Sequence, residues 1–149
     1  MALSYDTFTA AFLSKVTSFD FIDMTDEMIQ SNIDGYMKRA MTEFKFVSQY
    51  DFSSTINDEE RQYDIDVKEE DVDEIVEIIT NGMVVQWLKP YLNRQEILEN
   101  VLNTRDFTTY SPAELLNRVS AAYRNAQKDF RDSIREYSYN HGDLTVLHI

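Results

Sequence analysis

The chain contains no cysteine, only three glycines and two prolines, two histidines, and few cations for its length. Without cysteine there is no disulfide framework, no thiol catalysis and no thiolate metal site. So few glycines and prolines leave too few turn formers for a many-stranded β fold. His141 and His148 are the only imidazoles, and neither stands in a zinc-type spacing. No window approaches the roughly 18 apolar residues of a membrane span, and no basic stretch leads into an apolar run near Met1, so a soluble chain without a secretion signal is expected. The net charge of -13 removes the clustered cations that general phosphate binding needs. The acidity would instead serve solubility, a basic partner, or imitation of DNA.

What is present is helix. At 149 residues with 43% hydrophobic and 13% aromatic content, the chain has enough apolar material for one core. The pattern predicts an all-α bundle of about four to five helices in a single helical domain, 1–149, with a long C-terminal helix and an extended, β-prone arm over 140–149. A first helix spans about Tyr5 to Val16, with Phe8, Ala11, Phe12 and Leu13 on its apolar face, and breaks over Thr17 to Met24. Thr25 caps a second, with Asp26 and Glu27 near its positive end. Its stripe is Met28, Ile29, Ile33, Tyr36, Met37, Ala40, Met41 and Phe44. A third begins near Lys68-Glu69 and carries Val72, Ile75, Val76, Ile79, Met83 and Trp87; the apolar run Met83 to Leu88 implies burial on more than one face. Pro90 should kink or break it. Asn93 with Glu96 then offers a capping box ahead of Ile97, Leu98, Val101 and Leu102.

The last helix has the best-marked start. With Ser111 as N-cap, Pro112 takes the first helical position, Glu114 the return position of a capping box, and Tyr110 can staple to Leu115. From there to about Tyr139, Leu115, Val119, Ala122, Ala126, Phe130, Ile134 and Tyr137 make one apolar stripe. Arg124, Lys128, Arg131 and Arg135 repeat at the same spacing, roughly 180° away at about 100° per residue. They form either a solvated face, balanced sideways by Glu114, Asp129, Asp132 and Glu136, or a surface for an anionic neighbour.

Between the second and third helices, 51–68 reads as an acidic connecting loop with extended pieces around Tyr63 to Val67. From Asp51 to Glu77 there are twelve acids against Arg61 and Lys68. Glu59, Glu60, Asp64, Asp66, Glu69, Glu70 and Asp73 are either a solvating run or an inter-subunit surface complementary to the basic stripe. Asp64-Ile65-Asp66 opens like a calcium loop, but Glu69 stands where glycine is required and Ile75 where the bidentate acid belongs. Acid pairs such as Glu69 with Asp73 have no nucleophile, histidine or phosphate loop beside them in sequence. No catalytic constellation and no cofactor site is expected.

Two segments carry a resemblance. Asn81-Gly82-Met83-Val84-Val85-Gln86-Trp87-Leu88-Lys89-Pro90-Tyr91-Leu92-Asn93 resembles the central helix and proline break of head-to-tail connector proteins of tailed bacteriophages. Tyr110-Ser111-Pro112-Ala113-Glu114-Leu115-Leu116, leading through the basic helix to Tyr137-Ser138-Tyr139-Asn140-His141-Gly142-Asp143-Leu144, is similar to their C-terminal portion. The resemblance covers roughly the C-terminal half and implies a structural virion protein at the head-tail junction, made in the bacterial host cytoplasm. It implies a ring, commonly dodecameric, contacting the portal protein and a neighbouring neck or tail-completion protein, with packaged DNA passing through the lumen. The partner-binding residues would then be Arg124, Lys128, Arg131, Arg135, Tyr139, His141, Leu144, Val146, Leu147, His148 and Ile149, the arm adding a strand to a neighbour's sheet edge. The alternative is an acidic inhibitor that imitates DNA, presenting the Asp51 to Glu77 carboxylates to a host nuclease or defence enzyme.

Overall fold

A computed structural model describes residues 2–17, 30–93 and 112–141. Four helices lie among them: α1 (Tyr5–Val16), α2 (Gln30–Phe44), α3 (Glu69–Asn93) and α4 (Pro112–His141). The protein is mostly helical, as its periodicity requires, with one small sheet. In α1, Ser4 caps the N-terminus by accepting from the Asp6 amide at 3.2 Å, Asp6 lies near the positive end and Lys15 near the negative end. Tyr5, Phe8, Phe12 and Val16 are buried, whereas Leu13 is exposed. In α2, Ile33, Tyr36, Met37, Ala40, Met41 and Phe44 are all buried on one face. Its expected start at Thr25 to Ile29 lies outside the described residues, as do the Asn93 to Leu102 restart beyond Asn93, the Ser111 cap with its Tyr110 staple, and the arm from Gly142 to Ile149.

The central element is α3, against which α1, α2 and α4 all pack. That explains its apolar breadth: Met83, Val84, Val85, Trp87 and Leu88 are buried together because three helices cover them. Of the kink or break expected at Pro90, the break does not occur: the helix continues to Asn93. Pro90 removes one amide donor and clashes with the preceding turn, a cost of about 3 kcal/mol in a helix interior. Trp87 and Leu88, both at 0% exposure, and Leu92, packed against the core, hold the turn in place against that cost.

The acidic connection is more structured than a loop. Ile56–Asn57 (β2) and Gln62–Tyr63 (β3) form a hairpin, and Leu3–Ser4 (β1) pairs with its other edge in the antiparallel order β1-β3-β2. Leu3 lies opposite Tyr63 and Ser4 opposite Gln62. Extended backbone was expected around 63–67; the ladder sits at 56–57 and 62–63, and β1 was not foreseen. Two-residue strands carry no alternation to read, and pairing across about sixty residues leaves no local mark. Tyr63 anchors the hairpin in an aromatic group, its ring 5.2 Å from Tyr5, 5.4 Å from Phe52 and 6.3 Å from Phe8. Arg61, at the hairpin turn with φ 50°, donates to Asp6 at 2.7 Å and Asp34 at 2.9 Å, tying the turn to α1 and α2.

These tyrosines give the fold an alkaline limit. Burial pushes the Tyr5, Tyr63 and Tyr137 phenols upward, with the Asp58 hydrogen bond adding at Tyr5. A phenol that keeps its proton in the folded state but loses it near pH 10 when unfolded contributes stability that is intact below that pH and lost above it. The slope approaches about 1.4 kcal/mol per pH unit for each phenol. Tyrosinate absorbance from these residues should therefore rise together with loss of far-ultraviolet ellipticity above pH 11. Complete ionisation of all nine tyrosines with helicity intact would contradict their burial.

Candidate functional site

Apart from the tyrosines and Trp87, two polar side chains are buried among the described residues, Thr80 and Asp71. Thr80 satisfies itself by donating to the Val76 carbonyl at 2.6 Å. Asp71 reaches outward to other elements. It stands in the first turn of α3, where a carboxylate is favoured, and its Oδ2 accepts from the Tyr50 hydroxyl at 2.6 Å and from Gln49 Nε2 at 3.4 Å.

Antiparallel packing of α4 on α3 brings the last turn of one to the first turn of the other. Phe130 meets Gly82 in mid-helix, and His141 meets Glu74 at the end. His141 Nε2 is 2.9 Å from Glu74 Oε2, and its Nδ1 is 3.9 Å from Asp71 Oδ1. Its ring stacks on Tyr137, with centroids 4.3 Å apart and planes 27° apart. Burial chiefly, and then the negative charge of Asp71, pushes the Tyr137 phenol up. Asp71 and Glu74 are three residues apart and so share a helix face. One ligand-capable atom from each of Asp71, Glu74 and His141 lies within 4.8 Å of the others. Among the described residues no lysine or arginine pairs with Asp71 or Glu74; the only basic side chain beside them is His141.

Sequence spacing could not assemble this group, because His141 arrives from a helix whose start is more than forty residues beyond Asp71. One local signal existed. Asp71 falls one turn before Ile75, on the inward face of α3, where an apolar residue belongs.

The residues expected to bind partners are distributed differently. Arg124, Lys128, Arg131 and Arg135 are all exposed on α4, opposite the buried Ala126, Phe130 and Tyr137. Lys128 pairs with Asp132 at 3.1 Å, an exposed i,i+4 contact worth a few tenths of a kcal/mol. Arg124, Arg131 and Arg135 make no ion pair or hydrogen bond with any described residue. Tyr139 is exposed, whereas His141 turns inward to Glu74. Leu144, Val146, Leu147, His148 and Ile149 lie outside the described residues.

On the acidic side, Glu59, Glu60, Asp64, Asp66, Glu69, Glu70 and Asp73 are all exposed, along the hairpin and the start of α3. Of the nearby cations, Arg61 binds Asp6 and Asp34 and Lys38 binds Asp58 at 2.8 Å, whereas Lys68 is exposed among the acids. Hydrogen bonds from Gln62 and then Asn57 hold the Asp64 carboxyl below the usual range, so Asp64 keeps its charge into mild acid. A cleft of about 560 Å³ opens between α1, α3 and α4, lined among others by Lys15, Asn81, Arg118, Ala122 and Asp129. Lys15 there is bound to Glu77 and Asn81. No helix among the described residues is long and apolar enough to cross a membrane.

No family model, curated protein or solved structure matches the chain.

Proposed function

We propose that this chain is a ring-forming head-tail connector subunit of a tailed bacteriophage, lying between the portal protein and the neighbouring neck or tail-completion protein. The observation that carries the reading is the outer face of α4: in a chain of net charge -13, Arg124, Arg131 and Arg135 face outward with no described intramolecular partner. The hairpin and the start of α3 present carboxylates outward instead. A closed ring is built head to tail and needs two unlike, complementary surfaces on each copy. These two faces meet that need, and the two segments resembling connector proteins supply the kind of ring. The arm after His141 is assigned to portal or neighbour contact, as a strand added to an exposed edge.

Immunogold labelling of purified phage particles against the Ile149 end tests the reading. Label concentrated at the head-tail junction is expected, together with loss of assembly when 144–149 are deleted while helicity is retained. Particles free of the protein would overturn it. That result would favour the second reading, an inhibitor that imitates DNA, which the outward carboxylates from Glu59 to Asp73 support and which predicts salt-sensitive capture of a basic nuclease.

A further inference from the structure

The Asp71 side chain is 5% exposed, and its two oxygens differ. Oδ2 is held by Tyr50 and Gln49; Oδ1 has no hydrogen bond to a described residue and points toward His141. A carboxylate removed from water needs hydrogen bonds or a compensating positive charge; Oδ2 has the first, while no lysine or arginine among the described residues supplies the second to Oδ1. We infer that Asp71, Glu74 and His141 bind a divalent transition-metal ion, with Zn²⁺ the representative species. One imidazole nitrogen with two carboxylate oxygens suits zinc and its first-row neighbours, whereas calcium and magnesium take all-oxygen shells. Tyr50 and Gln49 act as the outer layer that orients the Asp71 ligand.

The geometry needs a small adjustment. Metal bonds of about 2.0–2.2 Å set neighbouring ligand atoms roughly 3–3.5 Å apart. His141 Nε2 and Glu74 Oε2, at 2.9 Å, are already near that spacing. In the structure the ring spans the two carboxylates, Nδ1 toward Asp71 and Nε2 toward Glu74. An ion takes one ring nitrogen, and the carboxylate on the other edge closes onto it. Three protein ligands leave a position for water. The ion staples the last turn of α4 to the first turn of α3, at the point from which residues 142–149 continue.

Calorimetric titration of the full, untagged chain with zinc chloride, alongside thermal unfolding in zinc and in chelator, decides the matter. Saturation at one Zn²⁺ per chain and a higher Tm in zinc are expected. His141→Ala, at the last position of α4, should abolish saturable binding while leaving far-ultraviolet ellipticity unchanged, and His148→Ala, which removes the other imidazole, should bind like the parent. Tyr50→Phe keeps all three ligands and should weaken binding by about tenfold or more through lost orientation of Asp71. Absence of saturable binding, or binding unaffected by His141→Ala, overturns the site.

Discussion

Trp87→Ala is expected to remove about 3–5 kcal/mol of stability, the range for deleting a large aromatic side chain from a packed interior. Trp87 is fully buried on α3. Its ring meets Phe12 edge-on, with centroids 6.1 Å apart and planes at 85°, and Phe12 in turn lies 6.0 Å from Tyr36. One indole therefore joins α3 to α1 and, through Phe12, to α2. The hole left behind closes poorly, because α1 is pinned at its other end. The Tyr5 amide donates to the Arg61 carbonyl at 2.9 Å, and β1 is paired to β3. A domain of this size has about 5–15 kcal/mol in all, so the variant should be partly unfolded near 37 °C. With a urea slope of about 1–3 kcal/mol per molar, the midpoint should fall by more than about 1 M, followed by ellipticity since the sole tryptophan is gone. Trp87→Phe should retain well over half of the lost stability. A loss below about 1 kcal/mol for the alanine variant would mean that α1 is not seated on this residue.

The same residue shows what was legible in the chain before its structure. Trp87 lies on a stripe with Ile75, Ile79 and Met83, and all four are buried. Spacing of 3.6 residues is a local property, so α1, the described part of α2, and α3 and α4 with their inward faces could all be read from it. What resisted reading depends on distant partners. Two-residue strands have no period, Pro90 is overridden by burial on either side of it, and the Asp71, Glu74 and His141 group exists only because α4 returns antiparallel along α3. The basic stripe was legible as geometry for the same reason the core was. That Arg124, Arg131 and Arg135 have no partner among the described residues was not, since only the packed chain shows which acids are within reach.

Gly82 is where that antiparallel return is set, and replacing it should reverse the usual sign of a glycine-to-alanine change in a helix. Alanine in a helix interior is favoured over glycine by about 1 kcal/mol. At Gly35, where an added Cβ meets nothing within 4 Å, that gain should appear, and Gly35→Ala should stabilise by about 0.5–1 kcal/mol. At Gly82 an added Cβ would lie 2.6 Å from the Ala40 Cβ and 2.8 Å from two ring atoms of Phe130. The phenyl ring can tilt, but the Ala40 methyl is fixed to the α2 backbone, so relief requires α2 and α3 to separate. Overpacking of this kind costs about 1–3 kcal/mol, enough to cancel the propensity gain and leave Gly82→Ala less stable than the parent. Ala40→Gly in the same chain should restore part of the loss, because the two sites share one contact and are not additive. Urea midpoints of the four proteins measure this directly, and a Gly82→Ala variant as stable as Gly35→Ala would show that the helices have room to spare.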